Sequence, residues 1–430
     1  MRLLVVLVTA LAIDAFYPLP PTVPNPDSPL YLTLAHNLAA GRGFVAPDRT
    51  SISTPDATVR PTVPNTIRTP GYPLFLALLG ASAVPVQRAL HVALAGAIYL
   101  LVLAVIKRPS LAMLSGLIFA CYLPSIAIAR EVMTETLFAA VVFVVFAALA
   151  FEKPAVASLP VSALPLIRGI ALFLPLVLAV WLALRRRWLP AIAVLLIGSL
   201  PSALWMVRNA RVAGAPVLDG VMGENALFYR GAAVRVALRK GPFFGLTALQ
   251  RQTGFYRELI HLRPQLLTEA LAASKATTHA QRSVLYARLG SRIVREHPLI
   301  FGQLMISGFV RLYFDSLWES AQAAGMDYRD ARLFLIPLTI IALVFAVIGF
   351  FALRRIDKRF AILTLLFIAY FTLLTSGPDA ERRLTTPYAP MLAILIAAGI
   401  DRVYAIRSDQ SSIRRGSAGD QSGLGAESSS

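Results

Sequence analysis

Two polar stretches near the amino terminus decide the fold: residues 24–44, PNPDSPLYLTLAHNLAAGRGF, and residues 65–75, NTIRTPGYPLF. In the first stretch, apolar residues recur every three or four positions after Asp27 and Ser28. This spacing predicts a short amphipathic helix that either residue caps and that the Gly-Arg-Gly sequence ends. In the second stretch, Arg68 precedes the Pro-Gly-Tyr-Pro segment that leads into the next apolar run. We therefore predict a carboxylate and a guanidinium at the same membrane–water interface.

The whole chain has the composition of a polytopic membrane protein. Of its 430 residues, 57% are hydrophobic and 15% are charged, and a soluble domain cannot bury that much apolar surface. Met1 to Tyr17 contains one basic residue and Asp14 but no small-x-small cleavage site, so we interpret it as an uncleaved first span. The single cysteine, Cys121, lies in an apolar run, which favours a packing role and leaves no disulfide framework.

The formal net charge of +18 is concentrated between Arg208 and Arg295, where basic residues outnumber acidic ones. This region is either a solvated loop that faces anionic lipid or a docking surface for a polyanionic substrate. Nucleic acid is not expected as a partner, because no recognition fold or aromatic–basic repeat accompanies the charge.

The basic turns of the chain predict its topology. Lys107-Arg108, Arg185 to Arg187 and Arg354 to Arg359 are expected on the cytoplasmic side, which gives roughly ten crossings with both termini inside. On this topology, Tyr72 to Ala83 is an interfacial or re-entrant helix. Pro298 to Leu317 is an interfacial helix, since Arg311 and Asp315, one helical turn apart, fit a surface helix better than a lipid-facing span. The predicted fold class is an all-α polytopic membrane protein, with the domain bounds that follow. A transmembrane domain over residues 1–404 contains a first outer loop at 20–70 and a long outer loop at 208–297, and residues 405–430 form a disordered, Ser/Gly-rich cytoplasmic tail.

Charged residues at membrane depth are candidates for function, because burying them is costly. Glu135 begins an apolar span and either lines a site or pairs with Arg130 as an ordinary helix-start carboxylate. Arg168 lies at an outer helix break, where snorkelling and ligand binding explain it about equally well. Asp14 is isolated in the first span and is interpreted as a buried hydrogen-bonding partner.

Three more arginines lie where predicted spans meet the outer face. Arg208 follows Trp205 at the exit of a span and suits either an interfacial anchor or a phosphate contact. Arg382 and Arg383 open the last span on the same side. Of the five histidines, His36 is predicted on the polar face of the short helix, and none of them has metal-ligand spacing.

Chemistry on a lipid-linked phosphate explains why carboxylates and arginines gather at one membrane face. A sugar that leaves a polyprenyl phosphate develops positive charge on its ring and negative charge on the phosphate. Arginines can hold that phosphate, and a carboxylate can take the proton from the attacking hydroxyl. A transporter of anionic lipid would also place arginines near the interface.

Several motifs, in order, resemble those of a known family. They are PDSPLYLTLAHNLAAGRGF at 26–44, IRTPGYPLFLALLG at 67–80, TETLF at 134–138, WMVRNA at 205–210 and ERRL at 381–384 before Pro387 and Pro390. The set resembles the bacterial membrane glycosyltransferases of the GT-C fold class in glycosyltransferase family 39. This family includes relatives of the protein mannosyltransferases and of the aminoarabinose lipid A transferase.

The resemblance implies roles for individual residues. Asp27 matches the first-loop aspartate of the family, which acts as catalytic base, and Glu135 matches the acidic residue that lines the outer cavity. Arg68 and Tyr72 match the segment that contacts the lipid phosphate. Arg168, Arg208, Arg382 and Arg383 are the further candidates for substrate binding.

The resemblance also implies an inverting hexosyl- or pentosyltransferase in the bacterial inner membrane, with its active site on the outer, periplasmic face. The expected partners are a polyprenyl-phosphate sugar donor, a glycan, lipid or protein acceptor, and membrane lipids. No cofactor is obligatory, and a divalent metal is compatible with the family. The alternatives are a non-enzymatic transporter or flippase of a lipid-linked glycan, and a degenerate family member that assists envelope assembly.

Overall fold

The computed structural model describes residues 1–17, 25–47, 62–241, 252–272, 276–314 and 328–423. Almost all regular structure in these ranges is helical. The helices of the first half are α1 (Arg2–Phe16), α2 (Ser28–Ala39), α3 (Gly71–Leu79), α4 (Ala83–Ile106), α5 (Pro109–Ala120), α6 (Leu123–Ile128), α7 (Glu135–Ala150), α8 (Pro154–Ile167), α9 (Leu174–Leu184) and α10 (Trp188–Ala213). Those of the second half are α11 (Val221–Glu224), α12 (Ala232–Lys240), α13 (Gln252–Leu271), α14 (His279–Glu296), α15 (Pro298–Phe314), α16 (Tyr328–Ile356), α17 (Lys358–Thr375) and α18 (Ala389–Gly423).

Short elements complete the described structure. Strands β1 (Val45–Pro47) and β2 (Thr62–Pro64) form an antiparallel pair in which Ala46 lies opposite Val63. The 3₁₀ and π segments are Gly80–Ser82, Gly169–Ala171, Asn225–Gly231 and Arg382–Tyr388. The β pair brings the two ends of the first loop together directly after α2.

The chain is an integral membrane protein. Among the described residues, five helical segments are long and apolar enough to cross a bilayer: Gly71–Ile106, Trp188–Ala213, Leu335–Ile356, Lys358–Thr375 and Arg383–Ile406. Shorter apolar helices fall below the ~20 residues that a perpendicular crossing needs. They are Pro109–Ala120, Glu135–Ala150, Pro154–Ile167, Gly169–Leu184 and Pro298–Phe314. The total of ten crossings therefore stays a prediction.

Helix α3 is a separate short helix, and its interfacial or re-entrant position stays a prediction. It has nine residues, about 14 Å at the usual rise, and ends at Gly80, whose positive φ of 55° breaks the path into α4. The apolar run from Leu111 to Ala129 is interrupted in the structure, because it divides into α5 and α6. Tyr122 is extended at the break, as is usual for an N-cap residue, and Pro124 lies in the first turn of the new helix.

Helix α15, predicted as an interfacial helix from its Arg311 and Asp315 pair, buries that arginine, and its position relative to the membrane stays a prediction. The Arg311 side chain is only 3% exposed, and its Nη2 donates a hydrogen bond to the Gly377 carbonyl at 2.9 Å. Asp315 lies outside the described residues. Amphipathic spacing alone could not distinguish water from a polar backbone turn as the partner of Arg311.

One large apolar core holds the bundle together, with contributions from α1, α4, α5, α7 to α10 and α15 to α18. Helices α16 and α18 approach most closely at two glycines. A Cβ added to Gly349 would lie 1.8 Å from the Leu395 carbonyl oxygen, and one added to Gly399 would lie 2.0 Å from that of Phe345. Small residues permit this close backbone contact, which drives helix association where lipid supplies no hydrophobic gain.

The region predicted as a long outer loop at 208–297 is largely helical in the described ranges. Buried side chains of the π segment, α12, α13 and α14 form a second apolar core with Leu304 of α15. Some of its basic residues are paired, since Arg235 lies 2.6 Å from Glu269.

The carboxy-terminal segment begins inside a helix, since α18 continues to Gly423. The disorder predicted over residues 405–430 stays a prediction. Residues 424–430 lie outside the described residues.

Candidate functional site

Asp27 lies at the start of α2 with its carboxylate turned away from the helix. It occupies the N-cap position, as predicted, yet its side chain makes no capping hydrogen bond. Instead, Arg68 Nη2 donates to Asp27 Oδ1. The Asp27 N–H donates to Asn25 Oδ1 at 3.1 Å, which fixes the backbone at this turn. The carboxylate is thus held by an arginine 41 positions away in the sequence.

The turn before α3 holds Arg68 in position. Asn65 Oδ1 accepts the backbone N–H groups of Ile67 and Arg68, each at 3.1 Å. The guanidinium lies 5.0 Å from the ring centroid of Tyr31, one helical turn after Asp27 on α2. Asp27 and Arg68 therefore lie together, and their position at the membrane–water interface stays a prediction.

A second charged cluster surrounds Glu135, which has no solvent-exposed surface. Arg168 Nη1 lies 2.6 Å from Glu135 Oε1 and donates to Thr134 Oγ1 at 2.7 Å. Arg383 Nη1 lies 3.8 Å from the same glutamate oxygen, and its Nε donates to Glu381 Oε2 at 2.5 Å. One buried carboxylate thus holds two arginines that come from distant parts of the chain.

The expected alternative for Glu135, a pair with Arg130, is wrong. Arg130 lies 3.4 Å from Asp14 on α1, and its guanidinium contacts the Tyr17 ring. Asp14 also pairs with Arg88 at 2.7 Å. Residues 131–134 form a turn that separates the two faces, so Arg130 points to α1 while Glu135 begins α7 on the other side.

Both charged clusters line one cavity of about 310 Å³. Asp27 and Arg68 form one wall, and Glu135, Arg168 and Arg383 form another. A sugar phosphate fits a space of this size, since ligand pockets usually measure about 300–1,000 Å³. The cavity places a carboxylate that can accept a proton in the same enclosure as arginines that can hold an anion.

Three further charged residues line this cavity, and sequence reasoning did not identify them as candidates: Asp219, Arg230 and Asp379. Burial raises the pKa of the Asp219 carboxyl, although Met222 N–H donates to its Oδ1 at 2.9 Å. Burial likewise raises the pKa of Asp379. Burial therefore makes both carboxyls bind a proton more readily than an exposed aspartate does.

Gly169 shows how closely Asp219 packs beside Arg168. A Cβ added at Gly169 would lie 2.2 Å from Asp219 Oδ2, so this position has no room for a side chain. The Arg-Gly pair at the end of α8 could have pointed to a close approach. Asp379 lies in the charged turn before the last span, whereas Asp219 and Arg230 lie in the long connection, which has no recognisable pattern.

Two predicted substrate contacts do not line the cavity. Tyr72 is fully buried, and its hydroxyl donates to Gln87 Oε1 at 2.6 Å. Arg208 donates to the Asn65 carbonyl at 2.9 Å and stacks on Trp205, with 4.7 Å to the ring centroid. Both residues support the loop that carries Arg68 rather than face the ligand space. The side chain of Arg382 lies outside the described part of the structure.

The acidic residues of the cavity are arranged to face arginines. Among the described residues, no group of three His, Cys, Asp or Glu side chains is arranged to hold a metal ion. His36 is exposed on α2, as predicted, and takes no part in the cavity.

No family model matches the chain, and no curated protein matches it. Among solved structures, it is similar to the apo form of an Archaeoglobus fulgidus oligosaccharyltransferase, with a TM-score of 0.51, 13% identity, and coverage of 96% of this chain and 52% of that chain. For a complex of Archaeoglobus fulgidus AglB with an inhibitory peptide and a dolichol-phosphate, the TM-score is 0.46 and the identity 11%, with coverage of 95% of this chain and 52% of that chain. For ArnT from Cupriavidus metallidurans bound to undecaprenyl phosphate, the TM-score is 0.36 and the identity 14%, with coverage of 93% of this chain and 77% of that chain.

The chain therefore has the GT-C fold of membrane glycosyltransferases, which confirms the predicted fold class. It spans about half the length of the oligosaccharyltransferase that it resembles. At 13% identity, this similarity concerns the fold, and the chemistry must be argued from the side chains of the cavity.

Proposed function

We propose that this chain is an inverting glycosyltransferase that moves a sugar from a polyprenyl-phosphate donor to an acceptor at the outer face of a bacterial inner membrane. The observation that carries the proposal is the single cavity that Asp27 shares with Arg168 and Arg383. A transferase of this kind needs a base on one side of the reacting carbon and an anion holder on the other. The fold shared with an oligosaccharyltransferase supports the same class.

The reaction is a single displacement at the anomeric carbon. The acceptor oxygen forms the new glycosidic bond while the bond between the carbon and the phosphate oxygen breaks. Asp27 takes the proton of the acceptor hydroxyl, and its bond from Arg68 orients the carboxylate. The leaving group is polyprenyl phosphate, which retains the electron pair of the broken bond.

Arginines 168 and 383 stabilise the charge that grows on the departing phosphate. Guanidinium groups suit this task because they can donate two parallel hydrogen bonds to phosphate oxygens. Glu135 acts on this step by positioning the two arginines, since it lies 2.6 Å from one and 3.8 Å from the other. Arg230, on the same cavity, is a further candidate for anion binding.

The transferase unit comprises residues 1–404, and the helical region within 208–297 borders the cavity through Asp219 and Arg230. We assign acceptor selection to this region. The proposed acceptor is a glycan, a lipid or a protein. Arg208 and Tyr72 act as supports of the first loop in this scheme.

Sugar transfer by the purified full chain tests the proposal. Radiolabelled polyprenyl-phosphate sugars are offered in nanodiscs, with a membrane extract as acceptor, to the native chain, to Asp27→Asn and to Asp401→Asn. Asp401 pairs with Arg108 at 3.2 Å away from the cavity, so its variant controls for loss of a carboxylate–arginine pair.

We expect donor consumption by the native chain and by Asp401→Asn, and consumption ~10²–10⁴-fold slower by Asp27→Asn with donor binding retained. A contrary result is absence of consumption of every donor while lipid-linked sugar crosses the bilayer of proteoliposomes. That outcome would establish a flippase.

A further inference from the structure

A second cavity lies at the opposite end of α7 from the proposed active site. Glu135 begins this helix and Glu152 follows its end, which separates them by about 25 Å at 1.5 Å per residue. The second cavity has a volume of about 740 Å³ and lies between the turn that joins α7 to α8 and the turn that joins α9 to α10. It shares no lining residue with the first cavity.

The polar side of this cavity has an excess of positive charge. Glu152 is held by Arg187 and Arg359, each at 2.5 Å, and lies 4.0 Å from Arg185. Repulsion among these arginines adds to burial in lowering the pKa of Arg185. Asp357, the other nearby carboxylate, accepts the Phe360 N–H at 2.8 Å as the cap of α17.

Two cations of the cavity have no acidic partner among the described residues. Lys153 and Arg186 both line it, both are exposed, and neither forms an ion pair with a described carboxylate. The left-handed backbone of Arg186, with φ of 59°, places it at the tip of its turn. A ligand with negative charge would neutralise what the protein leaves uncompensated.

The other side of the cavity is apolar and open to the exposed surface of the protein. Trp188, Leu189 and Val156 line it with exposed fractions of 62%, 82% and 58%. Tryptophan at this position is typical of the boundary between headgroups and acyl chains. A basic cluster above exposed apolar side chains matches a molecule with an anionic head and hydrocarbon tails.

We infer that this cavity binds an anionic phospholipid, with its phosphodiester at Lys153 and Arg186 and its acyl chains against Val156 and Leu189. A free anion would use the cations alone and would gain nothing from the apolar wall. The site is independent of the proposed glycosyl transfer, because it stands at the far end of α7.

Native mass spectrometry of the detergent-purified full chain tests this assignment with phosphatidylglycerol and phosphatidylcholine as probes. The test variant is Lys153→Gln/Arg186→Gln. The matched control is Arg354→Gln/Arg355→Gln, which removes the same charge from two exposed arginines at the end of α16, outside the cavity. Glycerophosphoglycerol, the same headgroup without acyl chains, is the third probe.

We expect the native chain and the control to bind phosphatidylglycerol about tenfold or more tightly than the test variant. Each of the two cations contributes roughly one decade or less of affinity. Phosphatidylcholine binding should be equal in all three, which also verifies folding. Equal phosphatidylglycerol binding by the test variant, or an equal loss in the control, would overturn the site. Glycerophosphoglycerol binding as tight as that of the lipid would show that the ligand is a soluble phosphate ester.

Discussion

Helix α7 has a glutamate with several arginines at each end, and the two clusters differ in burial. Glu135 has no exposed surface and holds Arg168 and Arg383 inside a cavity. The Glu152 side chain is 44% exposed and holds Arg187 and Arg359 beside an open one. The same residue types therefore meet in two different dielectric environments.

Burial decides what each cluster contributes. A buried pair gains little net stability over apolar packing, but losing one partner strands the other charge in a dry site. An exposed pair is screened by water, and its loss is nearly silent. The Glu135 cluster is therefore suited to hold arginines rigidly for an anion, whereas the Glu152 cluster leaves cations available to the membrane.

The largest expected effect is on the rate of sugar transfer when Asp27 is replaced. Asp27→Asn keeps the shape of the side chain but removes the proton acceptor, so the rate of sugar transfer should fall ~10²–10⁴-fold, as is usual for loss of a general base. The assay is initial-rate transfer under saturating donor. An unchanged rate would show that Asp27 is a structural partner of Arg68 and not the base.

The next effect is on stability at the buried end of α7. Glu135→Gln leaves Arg168 and Arg383 without their shared carboxylate, and we expect a loss of ~3–5 kcal/mol in the free energy of unfolding. Denaturant unfolding in detergent measures it. A loss below ~1 kcal/mol would mean that water reaches this cluster as freely as it reaches Glu152, and the contrast between the two ends would disappear.

The fold, and part of the contrast between the two charged clusters of α7, could be predicted from the sequence. The polar island around Asp27 and Arg68 could be identified because it interrupts apolar segments, and the structure pairs the two residues at one cavity. A motif does not predict the direction in which a side chain points. Tyr72 and Arg208 belong to matched motifs, yet their side chains contact Gln87 and Asn65 and do not line the cavity.

The missed residues share a physical reason. Asp219 precedes α11 and Arg230 lies in the π segment, both outside the amphipathic helices α12 and α14, so a helical hydrophobic period does not mark them. The partner of Glu135 was also beyond the sequence, because Arg168 and Arg383 lie 33 and 248 positions away and are brought close only by the packed bundle.

A smaller effect should come from pH at the wall of the same cavity. Burial raises the folded-state pKa of Asp219, so the folded protein retains a proton that the unfolded chain has lost. Stability therefore falls as pH rises above the ordinary aspartate pKa of about 4 towards the raised value. Asp219→Asn should unfold at a higher temperature than the native chain at pH 8, with a smaller gap at pH 5. A gap that is larger at pH 5 would contradict the sign of the shift.

The smallest effect, again on the free energy of unfolding, is expected at the exposed end of α7. Glu152→Gln removes the carboxylate from three arginines, but water can solvate them, so the loss should stay within ~0–1 kcal/mol. The same denaturant experiment as for Glu135→Gln gives the matched value. A loss as large as that of Glu135→Gln would mean that the arginines at this end depend on protein charge alone. A small loss, accompanied by tighter phosphatidylglycerol binding in the variant, would mean that lipid phosphate and Glu152 compete for the same cations.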